Sequence, residues 1–189
     1  MIRRILTFIA ALAVFGAFAL AQPVVDGVIN DGEYANVVEH AESNSVFYWT
    51  VDGDNLHMGF TMPARGWAGI GWGAEQTNRK AGFDVLMFAM VDGEVVAYDG
   101  FQESARGEPI LDEDAGGSNS IVEFAAVHEG DVWTVEFVQP LATGEATDVD
   151  IVPGTPLIFM LAHGNVMDIG RAHDRSGRGG AFYIEDFTF

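Results

Sequence analysis

The chain has 189 residues, and its 28 Asp and Glu residues against 9 Lys and Arg residues give a formal net charge of −19 at pH 7. This acidity argues against nucleic acids and anionic membrane surfaces as partners, because proteins bind both through basic surfaces. The absence of cysteine excludes disulfides, cysteine-ligated metal centres, thiol catalysis and covalently attached c-type haem.

Residues 1–21 have the pattern of a secretory signal peptide. Two arginines near the start precede a long apolar run, and Ala19 and Ala21 provide the small residues of a cleavage site. The alternative is an uncleaved anchor, because the run approaches the ~18–20 apolar residues that span a bilayer. We expect cleavage, which leaves residues 22–189 as one exported domain, periplasmic or extracellular, without stable membrane insertion.

The rest of the chain alternates between turn-forming clusters and short runs rich in aromatic and β-branched residues, a pattern typical of β-strands. The predicted strands are 45–51, 56–62, 66–73, 83–91, 94–101, 120–127, 132–138, 157–163 and 181–189. The predicted loops are 102–118, 140–156 and 164–180. Because no segment shows a sustained helical period, we expect little helix. The pattern predicts an all-β, immunoglobulin-like antiparallel β-sandwich of about nine or more strands.

Large apolar side chains on these strands form the predicted core. They are Trp49, Phe60, Trp67, Ile70, Trp72, Leu86, Phe88, Phe124, Trp133, Phe137, Ile158 and Met160. His57 alternates with Leu56 and Met58 on its strand and is expected to face solvent. The glycines of the strand 66–73 indicate a bulge or a close approach of another group to the backbone.

Five segments stand in a recognisable order along the chain. They read V-D-G-V-I-x-x-G-E-Y at 25–34, G-W-A-G-I-G-W at 66–72, K-A-G-F-D at 80–84, E-F-V-Q-P-L at 136–141 and H-D-R-S-G-R-G at 173–179. Together they resemble the DOMON superfamily, whose secreted β-sandwich modules bind haem b or, in other members, sugars. The resemblance covers nearly all of residues 24–189, and the superfamily is related to cytochrome domains and to the haem subunit of ethylbenzene dehydrogenase.

The resemblance implies two axial ligands for haem iron, usually a Met after the G-W-x-G-x-G strand and a His before the last strand. The histidine corresponds to His173, and the alternative is an exposed loop histidine. The place of the methionine holds Lys80, the only lysine of the chain. A neutral lysine can bind iron when burial lowers its pKa, and the ethylbenzene dehydrogenase-like haem subunits pair Lys with Met. The alternative is a solvated turn lysine in a member that has lost or altered haem binding.

Other residues of the same segments are candidates for the haem pocket. Met87 and Met90 point to opposite sides of their strand, so one of them should face inward, either as the missing ligand or as core. His163 ends an apolar strand and lies either at the pocket mouth or in a structural hydrogen bond. Trp67 and Trp72 are assigned to the aromatic lining of a pocket at one end of the sandwich.

Three arginines crowd the loop that carries His173. Arg171, Arg175 and Arg178 could orient the two haem propionates, because arginine pairs with carboxylates through two hydrogen bonds. The alternative is surface pairing with the abundant acidic residues, which contributes little stability.

The acidic loop 112–114 raises the question of calcium, which oxygen-rich loops bind. Its spacing is not that of an EF-hand, so we interpret it as a solvated loop and do not expect calcium. Asp84 and Asp99 are the residue types of a glycosidase pair, but nothing in the sequence brings them together. Because hydrolase motifs are absent, we do not expect an enzyme.

The sequence therefore predicts an exported haem b protein that transfers electrons, with His173 as one ligand and an uncertain second ligand. The acidic surface would steer it to a redox partner with a basic docking surface. The alternative is a module without haem that binds carbohydrate, with exposed aromatic side chains stacking on sugar rings. A third interpretation is a module that docks other proteins at the cell envelope.

Overall fold

The computed structural model describes residues 22–74, 80–173 and 181–189. The predicted signal peptide lies outside these residues. Within them the chain forms eleven strands and one four-residue helix, α1 (Asp112–Ala115). The strands are β1 (Asn36–His40), β2 (Ser45–Asp52), β3 (Asn55–Pro63), β4 (Ala68–Gly73), β5 (Phe83–Val91), β6 (Glu94–Gln102), β7 (Ile110–Leu111), β8 (Glu123–Glu129), β9 (Val132–Pro140), β10 (Leu157–His163) and β11 (Ala181–Phe187).

The strands form two antiparallel sheets that face each other. The five-stranded sheet has the order β1-β2-β3-β9-β8, and the six-stranded sheet has the order β11-β10-β4-β5-β6-β7. This architecture confirms the predicted all-β sandwich with little helix. All nine predicted strands are present, with ends that shift by up to three residues, and β1 and β7 are additional edge strands.

The main core lies between the two sheets, and eight of the twelve predicted core residues are part of it. Trp67, Ile158 and Met160 instead belong to smaller clusters on the outer face of the six-stranded sheet. Because this sheet buries side chains on both faces, burial alone does not indicate which face a residue occupies. The prediction was wrong for Phe124, which is 37% exposed on β8.

The segment before β1 covers the outer face of the five-stranded sheet through one buried carboxylate. Glu136 Oε2 accepts the backbone N–H groups of Asp26, Gly27 and Val28 at 3.2, 2.8 and 3.1 Å. Gly27 has a φ of +85°, which lets three successive N–H groups converge on one anion. The hydroxyl of Tyr34 donates to Glu136 Oε1 at 2.9 Å, so both carboxylate oxygens of Glu136 accept hydrogen bonds.

His57 lies on the same outer face of the five-stranded sheet, and it is buried there although the sequence predicted a solvent-facing side chain. Its side chain lies on β3 under the start of the described chain and is 4% exposed. Gln22 Nε2 lies 3.1 Å from His57 Nε2. Burial lowers the pKa of His57, whereas the charges of Asp52 and Glu123 act in the opposite direction. The N-terminal segment, which strand alternation does not reveal, therefore covers this histidine.

Candidate functional site

A cavity of about 550 Å³ lies on the outer face of the six-stranded sheet. Its floor comes from β4, β5 and β10, whose alternate residues on this side are small or apolar. They are Gly69, Val85, Met87, Met160 and Ala162. The segments 105–109 and 169–173 form its walls. The cavity therefore lies beside the sandwich and not between its sheets, which differs from the expected pocket at one end.

Glycines on β4 make room for this cavity. A Cβ on Gly71 would lie 2.5 Å from the backbone oxygen of Asp84 and 3.3 Å from Met160 Cε. A Cβ on Gly69 would lie 3.2 Å from Met87 Cγ. Strand alternation thus sends Ile70 into the main core, while on the opposite face the glycines let Met87, Met160 and the backbone of Asp84 pack directly against β4. The close approach that the glycine-rich sequence predicted is confirmed.

Trp67 forms a wall of the cavity and is almost fully buried. Its indole Nε1–H donates to the backbone oxygen of Arg171 at 3.1 Å. The bond joins the start of β4 to the segment that leads to His173. Trp67 therefore holds the wall in place, besides presenting apolar surface to any ligand.

Backbone pairing fixes this segment further upstream. Gly66 N–H donates to Gly164 O at 3.0 Å, Trp67 N–H to Val166 O at 3.1 Å, and Gly164 N–H to Trp67 O at 2.8 Å. Trp133 also donates its indole N–H to Gly66 O at 2.7 Å. The position of the cavity wall therefore depends on the close contact between Gly66 and Gly164, the glycine pair.

We expect Gly66→Ala to lower the free energy of unfolding by about 2–3 kcal/mol, the usual cost of forcing extra volume into a packed site. A Cβ at this position would lie 2.2 Å from the backbone N and O of Val166, and moving this backbone would break its hydrogen bond from the N–H of Trp67. Gly170→Ala is the control, because its Cβ would meet the flexible ends of Asp168 and Glu108 at 3.2 and 3.5 Å. Urea unfolding measures both, and equal stability of the two variants would contradict the pairing.

The structure brings His173 and Lys80 to the same cavity. Each is partly buried. Lys80 Nζ donates to the backbone oxygen of Gly107 at 3.1 Å, which links the chain before β5 to the segment 105–109. A nitrogen donor from each of two distant segments therefore faces one space.

Of the two methionines on β5, Met87 lines the cavity. Met90 is three residues away, so its side chain belongs to the opposite face of the strand. Met160, a predicted core residue, also lines the cavity. Its alternation with Ala162 on β10 was the available signal. Two buried thioethers thus join the nitrogen donors.

Two other candidates do not line the cavity. Trp72 is fully buried in the main core and donates its indole N–H to Val149 O at 3.0 Å. The expected pocket role of Trp72 is therefore wrong, because β4 turns this residue inward. His163 is on the same face of β10 as Phe159 and Leu161, and these two residues belong to the main core. It ends the strand outside the cavity lining.

The basic groups are arranged differently from the predicted arginine cluster. Arg171 is exposed, and its Nε lies 3.6 Å from Asp168 Oδ2. Arg175 and Arg178 lie outside the described residues. Arg106, which sequence analysis did not single out, lines the cavity together with Lys80. Two cationic residues therefore contribute to the cavity lining.

The acidic loop is only partly solvated. Glu113 and Asp114 are exposed, but Asp112 is 0% exposed. Its interpretation as a solvated residue was therefore wrong. Asp84 and Asp99, which nothing in the sequence brought together, are both buried near Asp112, on the opposite side of the six-stranded sheet from the cavity.

In the part of the chain that the structure describes, no helix is both long and apolar enough to cross a membrane.

Comparisons with known proteins identify the family and the fold. The family model described as "DOMON domain" matches residues 41–164. A search of curated proteins found no match. Among solved structures, the cytochrome domain of Myriococcum thermophilum cellobiose dehydrogenase aligns with a TM-score of 0.50 and 13% identity, over 79% of this chain and 78% of that chain.

Two further structures are similar at lower scores. The cytochrome b domain of pyranose dehydrogenase from Coprinopsis cinerea has a TM-score of 0.49 and 12% identity, over 79% of this chain and 80% of that one. A carbohydrate binding module of family 9 from Caldicellulosiruptor kristjanssonii, in complex with glucose, has a TM-score of 0.38 and 15% identity, over 89% and 83%. The family match spans well over half of the sequence, and the chain therefore belongs to the DOMON domain family.

Proposed function

We propose that this DOMON domain binds haem b in the cavity on the outer face of its six-stranded sheet and acts as an exported electron carrier. The observation that supports this most is the convergence of His173, Lys80, Met87 and Met160 on one cavity. These are the side-chain types that ligate haem iron. They come from two regions, 80–87 and 160–173, that lie far apart in the sequence, so the fold and not local chain proximity brings the two groups together.

The residues present fit a haem group. The volume of about 550 Å³ lies within the ~300–1,000 Å³ typical of cofactor pockets. Apolar side chains and bare glycine backbone form the floor, which suits a flat apolar macrocycle. Arg106 in the lining is a partner for a carboxylate substituent of haem, while Glu108 in the same lining carries the opposite charge. Bound haem b would supply one-electron redox chemistry.

His173 and Lys80 would hold the haem iron, with His173 as the first ligand and Lys80 as the second. A neutral imidazole is a common haem ligand, and Trp67 and the glycine pair hold the segment before His173 in place. Lys80 must lose its proton to bind iron, which desolvation of the amine favours. Met87 and Met160 line the same cavity and are the competing ligands, since a thioether carries no proton.

In the proposed role, the protein has no catalytic activity of its own. It exchanges electrons with a partner, and its net charge of −19 favours a partner with a basic docking surface. Association through such charges is fast at low ionic strength and slows as salt is added. The predicted signal peptide accounts for the export of the protein.

Titration of the purified protein with haemin tests the proposal. We expect saturation at one haem per chain and a low-spin absorption spectrum whose Soret band shifts on reduction with dithionite. A protein that stays colourless, or that binds haem only weakly and with a high-spin spectrum, would contradict it. Binding to a glycan array by such a colourless protein would favour the carbohydrate-binding alternative.

A further inference from the structure

Three buried aspartates and one partly buried aspartate meet at one end of the main core, across the six-stranded sheet from the cavity. Asp84 on β5 and Asp99 on β6 point into the sandwich, while Asp112 begins α1 and Asp148 lies in the connection before β10. Asp99, Asp112 and Asp148 each offer one carboxylate oxygen, and these three oxygens lie within 4.8 Å of one another. Segments far apart in sequence build this cluster.

Asp112 gives the second, independent observation. Its side chain is 0% exposed, and neither carboxylate oxygen has a hydrogen-bond partner of acceptable geometry. Asp99 Oδ1 and Asp84 Oδ1 are also buried without such a partner. A buried carboxylate oxygen that lacks a partner is costly, since it has lost its hydration without replacement. Four such oxygens in one place indicate a ligand that accepts their lone pairs.

One carboxylate oxygen of each of Asp84, Asp99 and Asp148 accepts hydrogen bonds, and these bonds orient the three side chains. Asp99 Oδ2 accepts the backbone N–H and the hydroxyl of Ser120 at 2.7 and 2.6 Å. Asp148 Oδ2 accepts the hydroxyl of Thr143. Asp84 Oδ2 accepts the N–H of Val149 at 3.4 Å. The arrangement is therefore a built site, and the unpartnered oxygens are not a result of loose side chains.

The charges in the cluster act against one another. Burial raises the pKa of Asp112 to about 7, and the close approach of Asp148 and the charge of Asp99 act in the same direction. The Thr147 hydroxyl, outside hydrogen-bond geometry, lowers that pKa. Burial also raises the pKa of Asp84, reinforced by Asp99 and Asp148. Carboxylates this close need a shared counter-ion or protons to coexist.

We propose that Asp99, Asp112 and Asp148 bind a single calcium ion, with Asp84 beside the site. Calcium prefers six to eight oxygen ligands in adaptable geometry, which suits carboxylates from separate segments. Magnesium demands a near-ideal octahedron and keeps several waters, and zinc prefers nitrogen and sulfur donors. Three carboxylates also carry more than enough charge to balance a divalent ion. This site is separate from the haem proposal and does not depend on it.

The proposed calcium ion links the segments 112–120 and 141–150 to strand β6. Glu145 accepts the N–H and the hydroxyl of Ser118 at 2.8 and 2.6 Å, so the segments 112–120 and 141–150 already contact each other beside the cluster. Binding to Asp112 and Asp148 adds one ligand from each segment, and Asp99 adds one from β6. Calcium therefore stabilises the fold at this end of the sandwich.

Thermal unfolding of the purified protein tests the site. We expect the midpoint temperature in EDTA to rise by about 5 °C or more at saturating CaCl₂, and the same concentration of MgCl₂ to have a smaller effect. Terbium provides a direct probe, because Trp72 is linked to the cluster through Val149 and can sensitise its emission. Calcium should displace terbium with a stoichiometry of one.

Asp112→Asn and Asp114→Asn form the matched pair of variants. Asp114 is exposed two residues away on the same helix, so only Asp112→Asn should weaken calcium binding, by about tenfold or more. In EDTA, Asp112→Asn should be at least as stable as the wild-type protein because it removes repulsion. An unchanged midpoint of the wild-type protein in CaCl₂ without terbium emission would overturn the proposal, and so would equal calcium affinity of the two variants. If Asp112→Asn fails to fold, the terbium titration of the wild-type protein decides whether the site binds calcium.

Discussion

Replacement of His173 by alanine is expected to remove the low-spin spectrum of the haem-loaded protein and to weaken haem binding by about 100-fold or more, given that even outer partners of metal ligands contribute 10–100-fold. The imidazole lines the cavity and is the first of the two proposed iron ligands. Its loss leaves iron with at most one protein ligand. Absorbance titration with haemin, in the ferric and ferrous states, measures the effect.

His40→Ala is the control, because His40 lies on the edge strand β1, away from the cavity, and contacts Ser43 and Phe182. It should keep the wild-type spectrum. An unchanged low-spin spectrum in His173→Ala would remove this residue from the site. Exogenous imidazole should restore the low-spin state in His173→Ala, which a merely structural role of the residue would not allow.

The second ligand is decided by the same assay. Lys80→Ala should give a high-spin or mixed spectrum, whereas Lys80→Met should remain low-spin and gain the weak long-wavelength band of sulfur ligation. If Lys80→Ala keeps the wild-type spectrum and Met87→Leu loses it, Met87 is the ligand. Either result would leave the assignment of His173 standing.

The second large effect concerns stability. Glu136→Ala should lower the free energy of unfolding by about 3–5 kcal/mol, because it leaves several buried donors unsatisfied and each of them costs about 1–3 kcal/mol. The substitution leaves three backbone N–H groups and the Tyr34 hydroxyl without their acceptor. For a domain of this size we expect the thermal midpoint to fall by about 10 °C.

Glu136→Gln should lose roughly half as much free energy, since an amide oxygen still accepts hydrogen bonds, although neutral ones are weaker. Glu129→Ala, an exposed position on the neighbouring strand β8, is the control and should change stability by less than ~0.5 kcal/mol. Urea unfolding at neutral pH compares the three. A wild-type-like Glu136→Ala would show that the N-terminal segment contributes little to the fold.

The V-D-G-V-I-x-x-G-E-Y motif at residues 25–34 illustrates what the local sequence could and could not predict. Its residues and its order relative to the other four segments supported the resemblance to the DOMON superfamily. The acceptor, Glu136, lies more than 100 residues later. A single sequence carries no signal that pairs such distant groups, so the reason for the motif emerged only from the fold.

The sequence by itself determined the class of fold, the strands and the family, because alternation, turn residues and motif order are properties of neighbouring residues. It also singled out His173, Lys80 and Met87, which the structure places around one cavity. Only the tertiary structure decided that this cavity lies outside the sandwich, that Trp72 faces the core, and that Asp84, Asp99, Asp112 and Asp148 meet. Each of these depends on which face of a sheet a side chain occupies and on which distant segment covers it, and both are set by packing between strands that the chain does not join directly.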